Sequence, residues 1–247
     1  MPTRVKQEIV QLFSIRKIVL FMVGTILCID VNLRIYVRDY GGANLCEFII
    51  YFLTNMYNIL MLVTISVLAV SNDKYGIQNR YVLLLRHRNR SEYYLINICA
   101  RMIYAVGCVV IMLAILILYG KYRGLSGQET VMFVQVSMET VVKQCVNVSS
   151  YAVLVIVLYS LLNTILKNKV ADVLLMMGVP LINLMAVKTG LYWLARWLPW
   201  QSIAFQLYGW ESNHYRVNWE YWIILITIFL YAGDRFFVNK DIVYENN

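Results

Sequence analysis

The stretch that decides the fold is Tyr94-Leu-Ile-Asn-Ile-Cys-Ala-Arg-Met-Ile-Tyr-Ala-Val-Gly-Cys-Val-Val-Ile-Met-Leu-Ala-Ile-Leu-Ile-Leu-Tyr119, whose one charge is Arg101. At a rise of about 1.5 Å per residue, a helix of this length crosses a hydrocarbon core about 30 Å thick. Other segments read the same way, each near the roughly 20 residues that a span requires. They are Ile18 to Val37, Asn44 to Val70, Val148 to Leu166, Val170 to Val187 and Tyr221 to Val238. The fifth in chain order is interrupted by Gly178-Val-Pro180, which should kink it. The expected fold is an all-α membrane protein with six transmembrane helices.

Composition agrees. The chain has 247 residues, of which 60% are hydrophobic and only 15% charged, and its mean hydropathy is +0.61. A soluble domain of this size needs more charge to cover its surface. With no long polar stretch, residues 1–247 read as a single transmembrane domain. The net charge of +8 is accounted for by Lys and Arg in loops that meet anionic headgroups. No basic run is interleaved with stacking aromatics, so nucleic acid is not an expected partner; membrane lipid is. The five cysteines are scattered singly, without a C-x-x-C pair, which indicates neither a disulfide framework nor a zinc site.

Ahead of the first span, Val5, Ile9, Leu12 and Phe13 recur at helical spacing among Arg4, Lys6, Glu8 and Gln11. Residues 1–17 are therefore expected to form an amphipathic helix in the membrane interface. The apolar run that follows leads to Asp30 and Arg34 without a small-residue cleavage site, so it reads as a retained anchor. Placing both termini in the cytoplasm puts Arg4, Lys6, Arg16, Lys17 and the dense cluster Arg86 to Arg90 inside, as the positive-inside rule requires. All six tryptophans fall between Trp193 and Trp222. Because indole prefers the membrane boundary, residues 191–210 are expected to form a short outer re-entrant or interfacial helix between spans five and six. A simple aromatic belt is the other reading.

Polar groups inside spans are costly, so each is a candidate for function. Asp30 and Arg34 sit four apart on one face of the first span and can pair. Glu47 opens the second span at a similar depth and is expected to join them. Asn55 and Asn58 on the second span, Asn163 on the fourth and Asn183 on the fifth are placed to bond between helices. A structural role is the default for all of these, with substrate contact as the alternative.

Enzyme chemistry finds little footing. The two histidines, His87 and His214, fall on opposite sides of the membrane, which removes a helical metal pair. There is no G-x-S-x-G elbow, and no G-x-x-x-x-G-K-[ST] loop for hydrolysis of ATP by the chain itself. No metal or directly bound cofactor is expected.

The loop between spans two and three is more informative. It reads Ser71-Asn-Asp-Lys-Tyr-Gly-Ile-Gln-Asn-Arg-Tyr-Val-Leu-Leu-Leu-Arg-His-Arg-Asn-Arg-Ser-Glu-Tyr-Tyr94. A solvated basic loop would not need the apolar run Val82-Leu83-Leu84-Leu85. A short amphipathic helix held at the membrane surface, over residues 72–92, suits docking to a cytoplasmic partner.

In this loop and in its overall topology the chain resembles the permease subunits of type-2 ABC exporters. In that family an acidic-x-x-x-Gly-Thr stretch, a Leu-rich helix and Pro-x-x-Arg lie between spans two and three, and a basic-Asp-hydrophobic tail often ends the chain. Here Asp73-Lys74-Tyr75-Gly76-Ile77, Leu83-Leu84-Leu85, Asn89-Arg90-Ser91-Glu92 and Phe237-Val238-Asn239-Lys240-Asp241-Ile242 correspond. Ile77 replaces the Thr, and the Pro is absent, with His87 near its place. The resemblance implies an ATPase-docking site of Gly76, Val82, Leu83, Leu84, Leu85, Arg86, Arg88 and Arg90. It also implies a second permease subunit and a separate ATPase subunit carrying ATP and magnesium. The location would be the cytoplasmic membrane and the cargo a hydrophobic or amphipathic peptide or drug. The coupling subunit of a vitamin-type importer and a membrane-embedded enzyme are the alternatives.

Overall fold

A computed structural model describes residues 15–41, 44–55, 58, 90–125, 138–166 and 219–239. Those residues are all helical apart from caps and turns, with no strand among them. The helices are α1 (Ile15–Tyr40), α2 (Leu45–Thr54), α3 (Arg90–Tyr122), α4 (Met138–Ile165) and α5 (Trp219–Asn239). Four of them, α1, α3, α4 and α5, are long and apolar enough to cross a membrane. Such a set of helices belongs to a multi-pass membrane protein.

Local chemistry fixes the ends. Gly41, at φ +62, stops α1 and donates to the Val37 carbonyl at 2.9 Å, the left-handed cap that glycine adopts without steric cost. Asn44 then starts α2, its side-chain oxygen accepting from the amides of Cys46 and Glu47. A Schellman turn closes α3: Leu125 N–H donates to Gly120 O and Gly124 N–H to Lys121 O, with Gly124 at φ +83. Leu125 tucks back into the core.

α4 lies at the centre and packs against α3 and α5, α2 rests on α3 and α4, and α1 closes against α2 and α3. Gly120 lets α2 approach α3, since a Cβ there would collide with Leu45. The long helices keep one face buried and leave bulky aliphatics exposed on the other. On α1, Phe21, Thr25, Ile29, Asn32 and Tyr36 are buried, whereas Leu20, Val23, Leu27 and Val31 are exposed. On α5 only Trp222 and Gly233 are buried, with Ile223, Ile224, Ile228 and Phe236 outside. An outer surface of this kind is stable in hydrocarbon and not in water.

Several sequence expectations shift. Residues 15–17, assigned to the interfacial helix, are the first turn of α1. Arg90, Ser91 and Glu92, assigned to the loop over 72–92, are the first turn of α3. The fourth span starts ten residues earlier than Val148, at Met138. The helix that opens the second span ends at Thr54 after 10 residues. At about 15 Å, α2 crosses only half of the hydrocarbon. Apart from Asn55 and Asn58, the remainder of that span lies outside the described residues, as do most of 1–17, the fifth span and residues 191–210.

Candidate functional site: a polar cluster among apolar helices

α2 ends because Asn55 is extended, at φ −71 and ψ 111; its N–H closes the last turn on Tyr51 O and Phe52 O at 3.2 and 3.3 Å, and side chains add to these bonds. Thr54 Oγ1 donates to Ile50 O at 2.7 Å, and Asn58 Nδ2 donates to Phe52 O at 3.4 Å. The same Asn58 faces Asn32 of α1 in a reciprocal amide pair. Asn32 Nδ2 donates to Asn58 Oδ1 at 2.8 Å, and Asn58 Nδ2 donates to Asn32 Oδ1 at 2.9 Å. Asn55 Nδ2 and the Cys28 thiol add bonds at 3.3 Å each, to Asn32 Oδ1 and Asn58 Oδ1. Asn32 also donates to Cys28 O one turn below. Asn55 and Asn58 thus bond between helices as their sequence implied, and Asn32 and Cys28 are their partners. The arrangement clamps the broken end of α2 to α1.

Asp30 and Arg34 pair at 2.8 Å. The pair is half of a larger cluster: Tyr119 OH donates to Asp30 Oδ1 at 2.6 Å, and Arg123 Nη2 lies 3.2 Å from the same oxygen. Arg123 also sits over the Tyr119 ring, 5.8 Å from its centre. Glu47 does not join this group. It is fully buried and accepts from Tyr36 OH at 3.2 Å. Tyr36 lies six residues beyond Asp30 on α1, where its ring packs between Phe48 and Tyr51. Equal depth put Glu47 near Asp30 in sequence terms; in the structure it meets α1 about 9 Å further along, at Tyr36.

Two further polar centres have no counterpart in the sequence reading. On α4, Asn147 Oδ1 accepts from Trp222 Nε1 at 3.3 Å, and one turn earlier Gln144 is fully buried with neither amide atom hydrogen-bonded. Asn163, read as a bond between helices, has a buried Oδ1 that accepts no hydrogen bond. At the opposite end of the bundle, Tyr94 stacks on Phe237, with centroids 5.2 Å apart, and its hydroxyl is pressed against Gly233. Beside it, Arg90 Nη1 donates to Val238 O at 3.3 Å. Gly76, Val82, Leu83, Leu84, Leu85, Arg86, Arg88 and Asn183 lie outside the described residues.

Asn32 is a polar residue inside an apolar span, the signal that singled out Asn55 and Asn58, and the same criterion finds it. Tyr119 and Arg123 carry no such signal, since both sit where a span meets water. Among the described residues, no three His, Cys, Asp or Glu side chains converge to hold a metal. The clusters order the helices. Comparison with protein-family models, with curated proteins and with solved structures found no match for this chain.

Proposed function

We propose that the chain is the membrane-spanning subunit of an ATP-driven exporter of the ABC type. In this reading six spans and an N-terminal interfacial helix sit in the cytoplasmic membrane with both termini inside. A second copy or a related chain completes the pathway, and a separate ATPase subunit binds ATP and magnesium. The cargo is a hydrophobic or amphipathic peptide or drug. Closure of the ATPases moves the docked helix, and the spans follow.

The observation that carries this reading is Val82-Leu83-Leu84-Leu85 between Gly76 and the basic turn Arg86 to Arg90. Two structural features favour it. Arg90 is the first residue of α3, so a force on the loop enters a helix of 33 residues directly. Its bond to Val238 and the stacking of Tyr93 and Tyr94 on Phe237 tie that point to the end of α5. A pull at the loop would therefore be shared between two helices.

Replacing Leu84 and Leu85 with Asp tests the docking face. Burying these charges against a partner and losing about 3 kcal/mol weakens association on the order of a hundredfold. The expected outcome is normal membrane abundance, loss of ATPase copurification and loss of stimulated ATP hydrolysis. An ATPase that still copurifies at wild-type levels sinks the exporter reading.

A further inference from the structure

The outward face of α1 carries an uninterrupted stripe. Leu20, Val23, Leu27 and Val31 lie on it, followed by Arg34 and Arg38, at spacings of three and four residues, and all are exposed. From Leu20 to Val31 the helix rises about 17 Å, the depth of roughly one leaflet of hydrocarbon, half of a core of about 30 Å. The arginines begin where that leaflet ends.

The charge at this point does not balance. Asp30 is one carboxylate between two guanidinium groups, Arg34 on Oδ2 and Arg123 on Oδ1, and it also accepts from Tyr119. Arg38 has its own partner in Asp39 at 2.8 Å, so among the described residues the Asp30 cluster retains one positive charge. Arg34 and Arg123 each direct a single Nη2 at the carboxylate, out of five N–H donors per guanidinium. Their side chains are 72% and 42% exposed. A purely structural ion pair needs one cation. The second, at the edge of hydrocarbon, leaves guanidinium N–H groups available to an anion.

We propose that this cluster binds the headgroup phosphate of an anionic phospholipid, with an acyl chain lying along Leu20, Val23, Leu27 and Val31. The phosphate accepts from Arg34 and Arg123, which Asp30 holds in place, and its charge neutralises the cluster. The site requires only that the helices sit in a bilayer. It does not depend on the exporter reading or on which side of the membrane is cytoplasmic.

Native mass spectrometry of the full chain in detergent, with equimolar phosphatidylglycerol and phosphatidylcholine of matched chains, tests this. For the most tightly held lipid, wild type should prefer phosphatidylglycerol by about fivefold, the effect expected of one charge at a membrane surface. Arg123→Gln leaves Asp30 paired with Arg34 and Tyr119, so it should fold and lose that preference. Arg86→Gln with Arg88→Gln, in the separate basic loop, should keep it. Equal retention of the two lipids by wild type overturns the proposal without recourse to any variant. So does a preference that survives Arg123→Gln, or one that disappears only with the loop variant. Displacement of the lipid by millimolar inorganic phosphate would reassign the site to a free anion and sink the lipid assignment.

Discussion

At the scale of single residues, the amide pair of Asn32 and Asn58 shows how this chain uses polarity. Each amide both donates and accepts, so the pair is satisfied without water, at bond lengths of 2.8 and 2.9 Å. In surroundings of low dielectric, an amide that loses its partner carries the full cost of desolvation. Asn32→Leu alone should therefore destabilise the protein by about 1–3 kcal/mol, because Asn58, 5% exposed, is left facing a hydrocarbon side chain. Asn32→Leu with Asn58→Leu should recover much of that loss, since neither orphan then remains. Thermal unfolding of the three proteins in one detergent measures the difference. Additive losses in the double variant would show that the amides act through separate contacts and not as a pair.

Between elements, the tightest fit is where α5 crosses the start of α3. A Cβ added at Gly233 would lie 1.8 Å from Tyr94 Oη and 2.9 Å from Cζ. The ring has little room to retreat, because it is stacked on Phe237 with centroids 5.2 Å apart. Overpacking of this kind costs about 1–3 kcal/mol, so Gly233→Ala should lower stability by that amount. The Tyr94 hydroxyl is buried without a hydrogen-bond partner, so Tyr94→Phe should be close to neutral, or stabilising, by removing an unsatisfied group. Combined with Gly233→Ala it should restore part of the loss, leaving the contact with the ring itself. A double-mutant cycle read by chemical or thermal unfolding gives this coupling. Zero coupling would mean that α5 shifts bodily instead of meeting Tyr94.

For the molecule as a whole, the contacts between helices fix which ends lie together. Asp30 meets Tyr119 and Arg123, Leu45 meets Gly120, and Asn147 meets Trp222, so one face of the bundle gathers the ends of α1 and α3 and the starts of α2, α4 and α5. Arg90 meets Val238 on the other. The start of α1 and the end of α5 therefore share a face, as required if both termini lie in the cytoplasm. Single cysteines introduced near Gly124 and near Ser212 should then react with an impermeant thiol reagent in intact cells, while one near Asn89 stays protected until the membrane is opened. Reaction at Asn89 from outside would invert the proposed orientation and detach the docking loop from any cytoplasmic ATPase.

The sequence by itself determined the all-helical membrane character, the positions of α1, α3, α4 and α5 to within a few turns, and the pairing of Asp30 with Arg34. These depend on apolar length and on spacing within one helix, which are properties of a linear chain. Only the tertiary structure decided that α2 stops at Thr54, that Glu47 bonds Tyr36 and not Asp30, and that Arg123 and Tyr119 complete the Asp30 cluster. Which partner a polar side chain finds depends on the rotation and height of the neighbouring helix. Those are set by close packing at places such as Gly120 against Leu45, between residues that no local pattern connects.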